Sequence, residues 1–296
     1  MLSNSGSGQL YTAADPTTSC HAHTNGMKRE RSIEIEDLCG HELTNHDLTK
    51  HLLEFVKQLS ADSENKVFAV VRNKANATNL HALSKNNVTI LEADVTDPKA
   101  LKLAAVEVSK ATGNKLDYLI NNAGSSTNPG FTLDQFPSAE AVENDLLDNF
   151  KTNTISVVHS TNAFLPLLKN GSTKKVLSMS SGLGDLDFTL AGEAVAQPSY
   201  SIAKAALNMV VAKYAAQFKS EGFVFLAMSP GIVDVSGTNE SGQFKMLTKA
   251  VAKAAPDFKG PITPEESVRR QLEVLNRWTV EDTGAFISHL GNKQWI

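Results

Sequence analysis

At 296 residues and net charge −4, the chain has the size of one α/β domain with an extension, and no strong field draws it to nucleic acid or an anionic membrane. Its 41% hydrophobic and 20% charged content reads as soluble and globular, and no apolar run reaches the roughly 18 residues of a membrane span. The only two cysteines, Cys20 and Cys39, and the absence of an apolar segment in residues 1–27 speak against a disulfide framework and a secretory signal, so a reducing, cytoplasmic setting is expected.

Residues 1–48 differ from the rest of the chain. They hold both cysteines and His21, His23, His41 and His46, and they show no sustained period. Ser32-Ile-Glu-Ile-Glu36 alternates for two cycles, a weak strand signal. Cys20-His-Ala-His23 carries three soft metal ligands, but no fourth is evident, so the segment is read as a polar tail and no metal is expected.

From Leu52 the pattern is orderly. Leu52, Leu53, Val56 and Leu59 form a helical stripe. Strands are predicted over 67–71, 88–91, 116–120, 175–179, 223–228 and 284–288, each a short, mainly apolar run. Helices are predicted over 99–112 (closed by Gly113), 139–168, 198–218 and from a capping box at Thr263-Pro-Glu-Glu266 to about Asn276. Strands alternating with helices imply an α/β fold with a doubly wound, parallel, Rossmann-like sheet over residues 49–296, whose ligands bind at the carboxyl ends of the strands.

Tyr200-Ser-Ile-Ala-Lys204 stacks a phenol and an ammonium one turn apart on a helix. Such a cation favours phenolate and is expected to pull the tyrosine below its usual pKa of about 10, suiting it to proton exchange with a carbonyl or alcohol. Asn121-Asn-Ala-Gly124, Asn153, the pair Ser180-Ser181 and Pro230-Gly231 follow strands or sit on helices along the same edge.

In this order the motifs resemble the short-chain dehydrogenase/reductase family from about Leu52 to Ile296. They are most similar to small carbonyl reductases and to norsolorinic-acid-ketoreductase-like fungal members, whose Gly-x-x-x-Trp end looks like Gly291-Asn-Lys-Gln-Trp295. The resemblance implies an oxidoreductase that interconverts a small-molecule ketone or aldehyde and its alcohol. Tyr200 would be the general acid in reduction, Lys204 would lower its pKa and hold the nicotinamide ribose, and Ser181, which closes the serine pair, would hydrogen-bond the substrate oxygen. Asn153 would hold a relay water. Arg72, following strand 67–71, implies NADP(H) rather than NAD, because a basic residue there accommodates a 2′-phosphate. Asp94-Val95 would meet the adenine, Asn122, Ala123 and Gly124 the adenosine ribose, and Pro230, Gly231 and Val233 the nicotinamide side. The family often pairs as homodimers or homotetramers through the helices that here contain Asn153 and Tyr200.

The chain departs from the family in three places. Val235 stands where a carboxamide-binding threonine is common, with Ser236 adjacent. Residues 182–199 make the Ser181–Tyr200 spacing longer than usual, read as a loop over the substrate, and 236–261, with Phe244, Met246, Leu247 and Val251, are read as a substrate lid. Most consequential, the family's glycine-rich turn aligns with Asn45–Leu52, which has no glycine, and no apolar strand precedes it. Glycines there let backbone N–H groups approach a pyrophosphate. Three readings stand: residues 1–48 are foreign to the fold through an alternative start or a misjoined gene, residues 31–38 supply a makeshift central strand, or the chain is a catalytically silent binding or scaffold protein.

Overall fold

A seven-stranded parallel sheet with strand order β3-β2-β1-β4-β5-β6-β7 organises the chain in its computed structural model, which describes residues 31–36, 47–128, 130–234 and 257–296 together with 251, 253 and 255. The strands are β1 (Arg31–Glu36), β2 (Asn65–Val71), β3 (Val88–Glu92), β4 (Tyr118–Asn121), β5 (Lys175–Met179), β6 (Val224–Ser229) and β7 (Phe286–Ser288). The helices are α1 (Asp47–Leu59), α2 (Thr78–Ala82), α3 (Pro98–Thr112), α4 (Ala139–Phe150), α5 (Ser156–Asn170), α6 (Leu186–Gly192), α7 (Pro198–Phe218) and, after these, α8 (Pro264–Arg277). Cys20-His-Ala-His23, Ser236, Phe244, Met246 and Leu247 lie outside the described residues. Among those described, no group of three or more His, Cys, Asp or Glu is placed to hold a metal, and no helix is long and apolar enough to cross a membrane.

Two cores sandwich the sheet. Phe68, Val70, Leu119, Val176, Phe225 and Ala227 pack against α3, α5 and α7. The alternate residues Val67, Ala69, Ile120, Leu177 and Leu226 pack against α1, α2 and α8. Helices cover both faces of the sheet, so side chains alternating to either face are mostly apolar, which is why the runs of β2, β4 and β6 read as near-continuous in the sequence.

The boundary expected at residue 48 needs correcting. Arg31–Glu36 is the central strand, in register with Asn65–Val70 on one side and, from Ile33, with Tyr118–Asn121 on the other. This is the makeshift strand of the second reading, and it satisfies the ladder groups of β2 and β4 that would otherwise lie unpaired inside the sheet. Its amino end is pinned by Asp117: Ser32 N donates to Asp117 Oδ2 at 3.2 Å, Asp117 N donates to Ser32 O at 3.0 Å, and Ser172 and Thr173 hold Oδ1. Ile33 and Ile35 fill the α1/α8 core. Glu34 and Glu36 face the other core, Glu34 between Phe68 and Leu119, Glu36 between Val70 and Asn121, and both are buried. The carboxyl oxygens of Glu34 and one of Glu36 have no partner among the described residues, and burial pushes both acids up, Glu36 to about 8.

Other boundaries also shift. The helix expected over 139–168 is broken by a π turn, Lys151–Ile155, between α4 and α5. The residues aligned with the glycine turn are helical from Asp47 on, as the start of α1. The loop expected over 182–199 contains helix α6, N-capped by Asp185, whose carboxylate accepts from Phe188 N at 2.9 Å.

Candidate active site

The sheet order reverses between β1 and β4, and the crevice outside their carboxyl ends is where doubly wound sheets bind ligands. The described cofactor-site and serine residues expected from the sequence follow the carboxyl ends of the strands. Arg72 follows β2, Asp94 and Val95 follow β3, Asn122–Gly124 follow β4, Ser180 and Ser181 follow β5, and Pro230, Gly231 and Val233 follow β6.

Helix α7 carries Tyr200 in its first turn and Lys204 one turn on. Lys204 is buried, its ammonium donating to the Met179 carbonyl at the end of β5 at 2.7 Å and lying 5.6 Å from the Tyr200 ring centroid. Burial lowers Lys204 to about 7. The expectation that Lys204 pulls Tyr200 down is corrected: burial raises Tyr200 above its ordinary value, opposed only by a hydrogen bond with the Ser181 side chain. Desolvation of the phenolate outweighs the neighbouring amine.

Ser181 serves locally as well. Its hydroxyl accepts from Leu183 N at 3.2 Å, capping the 3-10 turn Gly182–Gly184. That turn is wedged in place. A Cβ on Gly184 would lie 2.9 Å from the Ala205 nitrogen, and one on Gly182 would lie 2.8 Å from Trp295 Cβ. Trp295 stacks on Phe286 with ring centroids 4.3 Å apart, so the Gly291–Trp295 end supports the serine turn. Ser180 points elsewhere, its hydroxyl donating to Asn208 Oδ1 at 2.6 Å.

Asn153 sits in the π turn and is fully buried. Its Nδ2 donates to Ser125 O at 2.8 Å and to Asn149 O at 3.0 Å, and its Oδ1 accepts from Ser125 N at 3.2 Å. A π turn adds a residue to the helix and re-aims a side chain, a device frequent at functional sites. It clamps Asn153 to the loop after β4. A Cβ on Gly124 would stand 3.1 Å from Asn153 Oδ1 and 3.3 Å from Lys204 Nζ, so a side chain there would crowd both.

On the nucleotide side, Asp94 Oδ1 accepts from Thr96 N at 2.8 Å and Thr96 Oγ1 at 2.7 Å, fixing the turn after β3. Val95 and Ala123 are buried. Arg72 Nε and Asn122 Nδ2 are buried without hydrogen-bond partners among the described residues. Gly231 has φ +82°, and a Cβ there would meet the His289 ring at 2.7 Å. Val235 and Ser236 lie outside the described residues.

The sequence reading missed His51, His289 and Gln271. His51 and Gln271 follow other polar residues within helices (Lys50 and Arg270), and His289 comes just after the last strand, so no spacing marked them.

The family profile "short chain dehydrogenase" matches residues 53–245, beginning downstream of the position of the glycine-rich turn. Short-chain dehydrogenase/reductase AacuF of Aspergillus aculeatus is 44% identical over 252 residues, covering 82% of this chain and 94% of that protein. Short-chain dehydrogenase/reductase atnB of an Arthrinium species is 39% identical over 254 residues with the same coverage. Among solved structures, the NADPH-bound carbonyl reductase from chicken fatty liver superposes with a TM-score of 0.70 at 29% identity, covering 90% of this chain and 98% of that one. Fold, profile and relatives agree that the chain belongs to the short-chain dehydrogenase/reductase family of oxidoreductases.

Proposed function

We propose that the protein is an NADP(H)-dependent reductase of ketones or aldehydes, with Tyr200 as proton donor. The observation that carries this is the Ser181–Tyr200–Lys204 group on the rim of the crevice, with the phenol held protonated by burial. The chicken carbonyl reductase is NADPH-bound, which supports the choice of cofactor.

The residues fit such a cofactor at both ends of the crevice. Gly124 leaves its backbone free of a side chain beside Asn153 and Lys204, and Arg72 has a buried Nε, unpartnered among the described residues, suited to a 2′-phosphate. Lys204 would hold the nicotinamide ribose, Asn122 to Gly124 the adenosine ribose, Asp94 and Val95 the adenine, and Pro230, Gly231 and Val233 the nicotinamide face. Bound NADPH supplies the hydride. The protein's part is proton transfer and orientation. Ser181 hydrogen-bonds the substrate oxygen and holds it against the Tyr200 hydroxyl. Tyr200 gives its proton to that oxygen as charge builds there, and the Lys204 ammonium stabilises the phenolate left behind. Asn153 fixes the Ser125 loop at the inner end of the relay.

Titration of the full chain with NADPH is expected to raise its melting temperature, and NADPH oxidation is expected to depend on added carbonyl compounds. Tyr200→Phe is expected to lower turnover by about 10²–10⁴-fold while leaving NADPH protection intact. Undiminished turnover in that variant would refute the role of Tyr200. The second reading, a catalytically silent binding protein, is favoured by the glycine-free stretch 45–52 and by a profile match that begins only at residue 53. Absence of any shift at millimolar NADPH would decide for it.

A further inference from the structure

Four elements meet at one buried imidazole. His51, on α1, approaches Asn122 Oδ1 through Nδ1 at 2.9 Å and Gln271 Nε2 through Nε2 at 3.0 Å. Gln271 Nε2 also donates to Ser267 Oγ at 2.9 Å, and the Ser267 hydroxyl donates to the Pro230 carbonyl at 2.7 Å. The chain of contacts therefore runs from α1 to the loop after β4, to α8, and to the loop after β6. His51, Asn122, Ser267 and Gln271 are all buried.

The orientations of the Gln271 and Asn122 amides set the hydrogen-bond directions, with Gln271 Oε1 left buried and without a partner among the described residues. An amide nitrogen only donates, so His51 Nε2 accepts from Gln271, and the proton of the neutral ring stands on Nδ1 and is given to Asn122 Oδ1. Burial favours this neutral form by lowering the histidine's pKa. Asn122 Oδ1 is thus committed, and its Nδ2 is left as a buried donor without a partner. A buried amide N–H left unpaired is costly, and a protein that keeps one has a donor ready for a group absent from the ligand-free fold. Within α1 the imidazole packs edge-on against Phe55 with ring centroids 5.1 Å apart, while both of its nitrogens turn to groups outside the helix.

We propose that His51 is a positioning residue for the dinucleotide: by occupying Asn122 Oδ1 it turns the Asn122 amide so that Nδ2–H is offered to an acceptor oxygen of the bound nucleotide, and through Gln271 and Ser267 it ties that loop to Pro230-Gly231. This role rests on the NADP(H) reading of the crevice. It assigns to a side chain of α1 part of the anchoring that the glycine-free turn does not provide.

The test is calorimetric titration of the full-length protein and its variants with NADPH, alongside melting temperatures without ligand. His51→Ala is expected to weaken NADPH roughly tenfold, the value of one hydrogen bond to a charged or strongly polar acceptor. His51→Asn, whose amide nitrogen stands where Nδ1 does, is expected to restore the affinity, whereas His51→Gln, which mimics Nε2, is not. Asn122→Ala is expected to match the His51→Ala loss, and the double variant to be no weaker than Asn122→Ala alone. A merely structural histidine would show affinity following melting temperature across the series, with no rescue by asparagine. That result, additive losses, or unchanged affinity in every variant would overturn the proposal. If the unaltered chain fails to bind NADPH, the cofactor reading falls and this inference with it; if the unaltered chain binds and asparagine does not rescue, only this inference falls.

Discussion

Burial acts in opposite directions on the two titratable groups of α7. It raises Tyr200, because a phenolate would be poorly solvated, and lowers Lys204 to about 7, because an ammonium would be. The pair therefore holds a phenol, not a phenolate, at neutral pH, which suits proton donation in the reducing direction. The Tyr-x-x-x-Lys spacing was legible in the sequence, but the balance between desolvation and the neighbouring cation was not, since it depends on how deeply β5 and the serine turn cover α7. On the proposed NADP(H) reading, Arg72 is the residue that decides between dinucleotides. Its Nε has no partner within the described residues, so Arg72→Asp costs no internal bond at that atom. This substitution is expected to weaken NADPH by about 10–100-fold and leave NADH affinity equal or improved, the cost of losing a charge-assisted hydrogen bond and placing an acid beside a 2′-phosphate. Competitive titration with the two reduced cofactors measures it, and an unchanged preference would show that Arg72 does not read the phosphate.

Strand β1 shows how an element can be legible as a strand and misjudged in rank. Ile-Glu-Ile-Glu over 33–36 alternates as a half-exposed strand should, yet it lies at the centre of the sheet with both glutamates in an apolar core. Two buried isoleucines contribute about 1.5–3 kcal/mol each, and two carboxyls short of partners cost about 1–3 kcal/mol each even when neutral. Side chains thus nearly cancel, and the hydrogen-bond ladders on both sides decide that the strand docks. The same two acids set a pH dependence. In the folded chain they hold their protons more tightly than in the unfolded one, Glu36 up to about 8. Their contribution is complete below the ordinary carboxylate pKa of 4.5 and is lost as pH rises through the folded values, so stability falls between about pH 5 and 8. Glu34→Val with Glu36→Val is expected to raise the melting temperature at pH 8 by roughly 5 °C and to flatten its slope over that interval. A wild-type profile level across pH 5–8 would contradict it. The π turn was hidden for a different reason: the apolar stripe of 139–168 continues across it, and one inserted residue leaves no compositional mark.

At the scale of the whole molecule, α4, the π turn and α7 leave large apolar side chains in solvent, Leu147, Phe150, Ile155, Ile202 and Met209. From this apolar face we propose that the protein forms a homodimer across these helices. Sedimentation of the full chain is expected to give a dimer, and Leu147→Glu with Met209→Glu a monomer of unchanged melting behaviour; a monomeric parent chain would refute the interface. Sequence by itself determined the alternation of strands and helices, the extents of β5 and α7, and the group Asn153, Ser181, Tyr200 and Lys204, because helical and strand periods and short motifs are local. Only the tertiary structure decided that residues 31–36 complete the sheet, that Tyr200 stays protonated, and that His51 joins Asn122 to Ser267 and Gln271. Those outcomes depend on burial and on partners brought together from 71 to 220 positions away, and neither quantity is carried by any local stretch of chain.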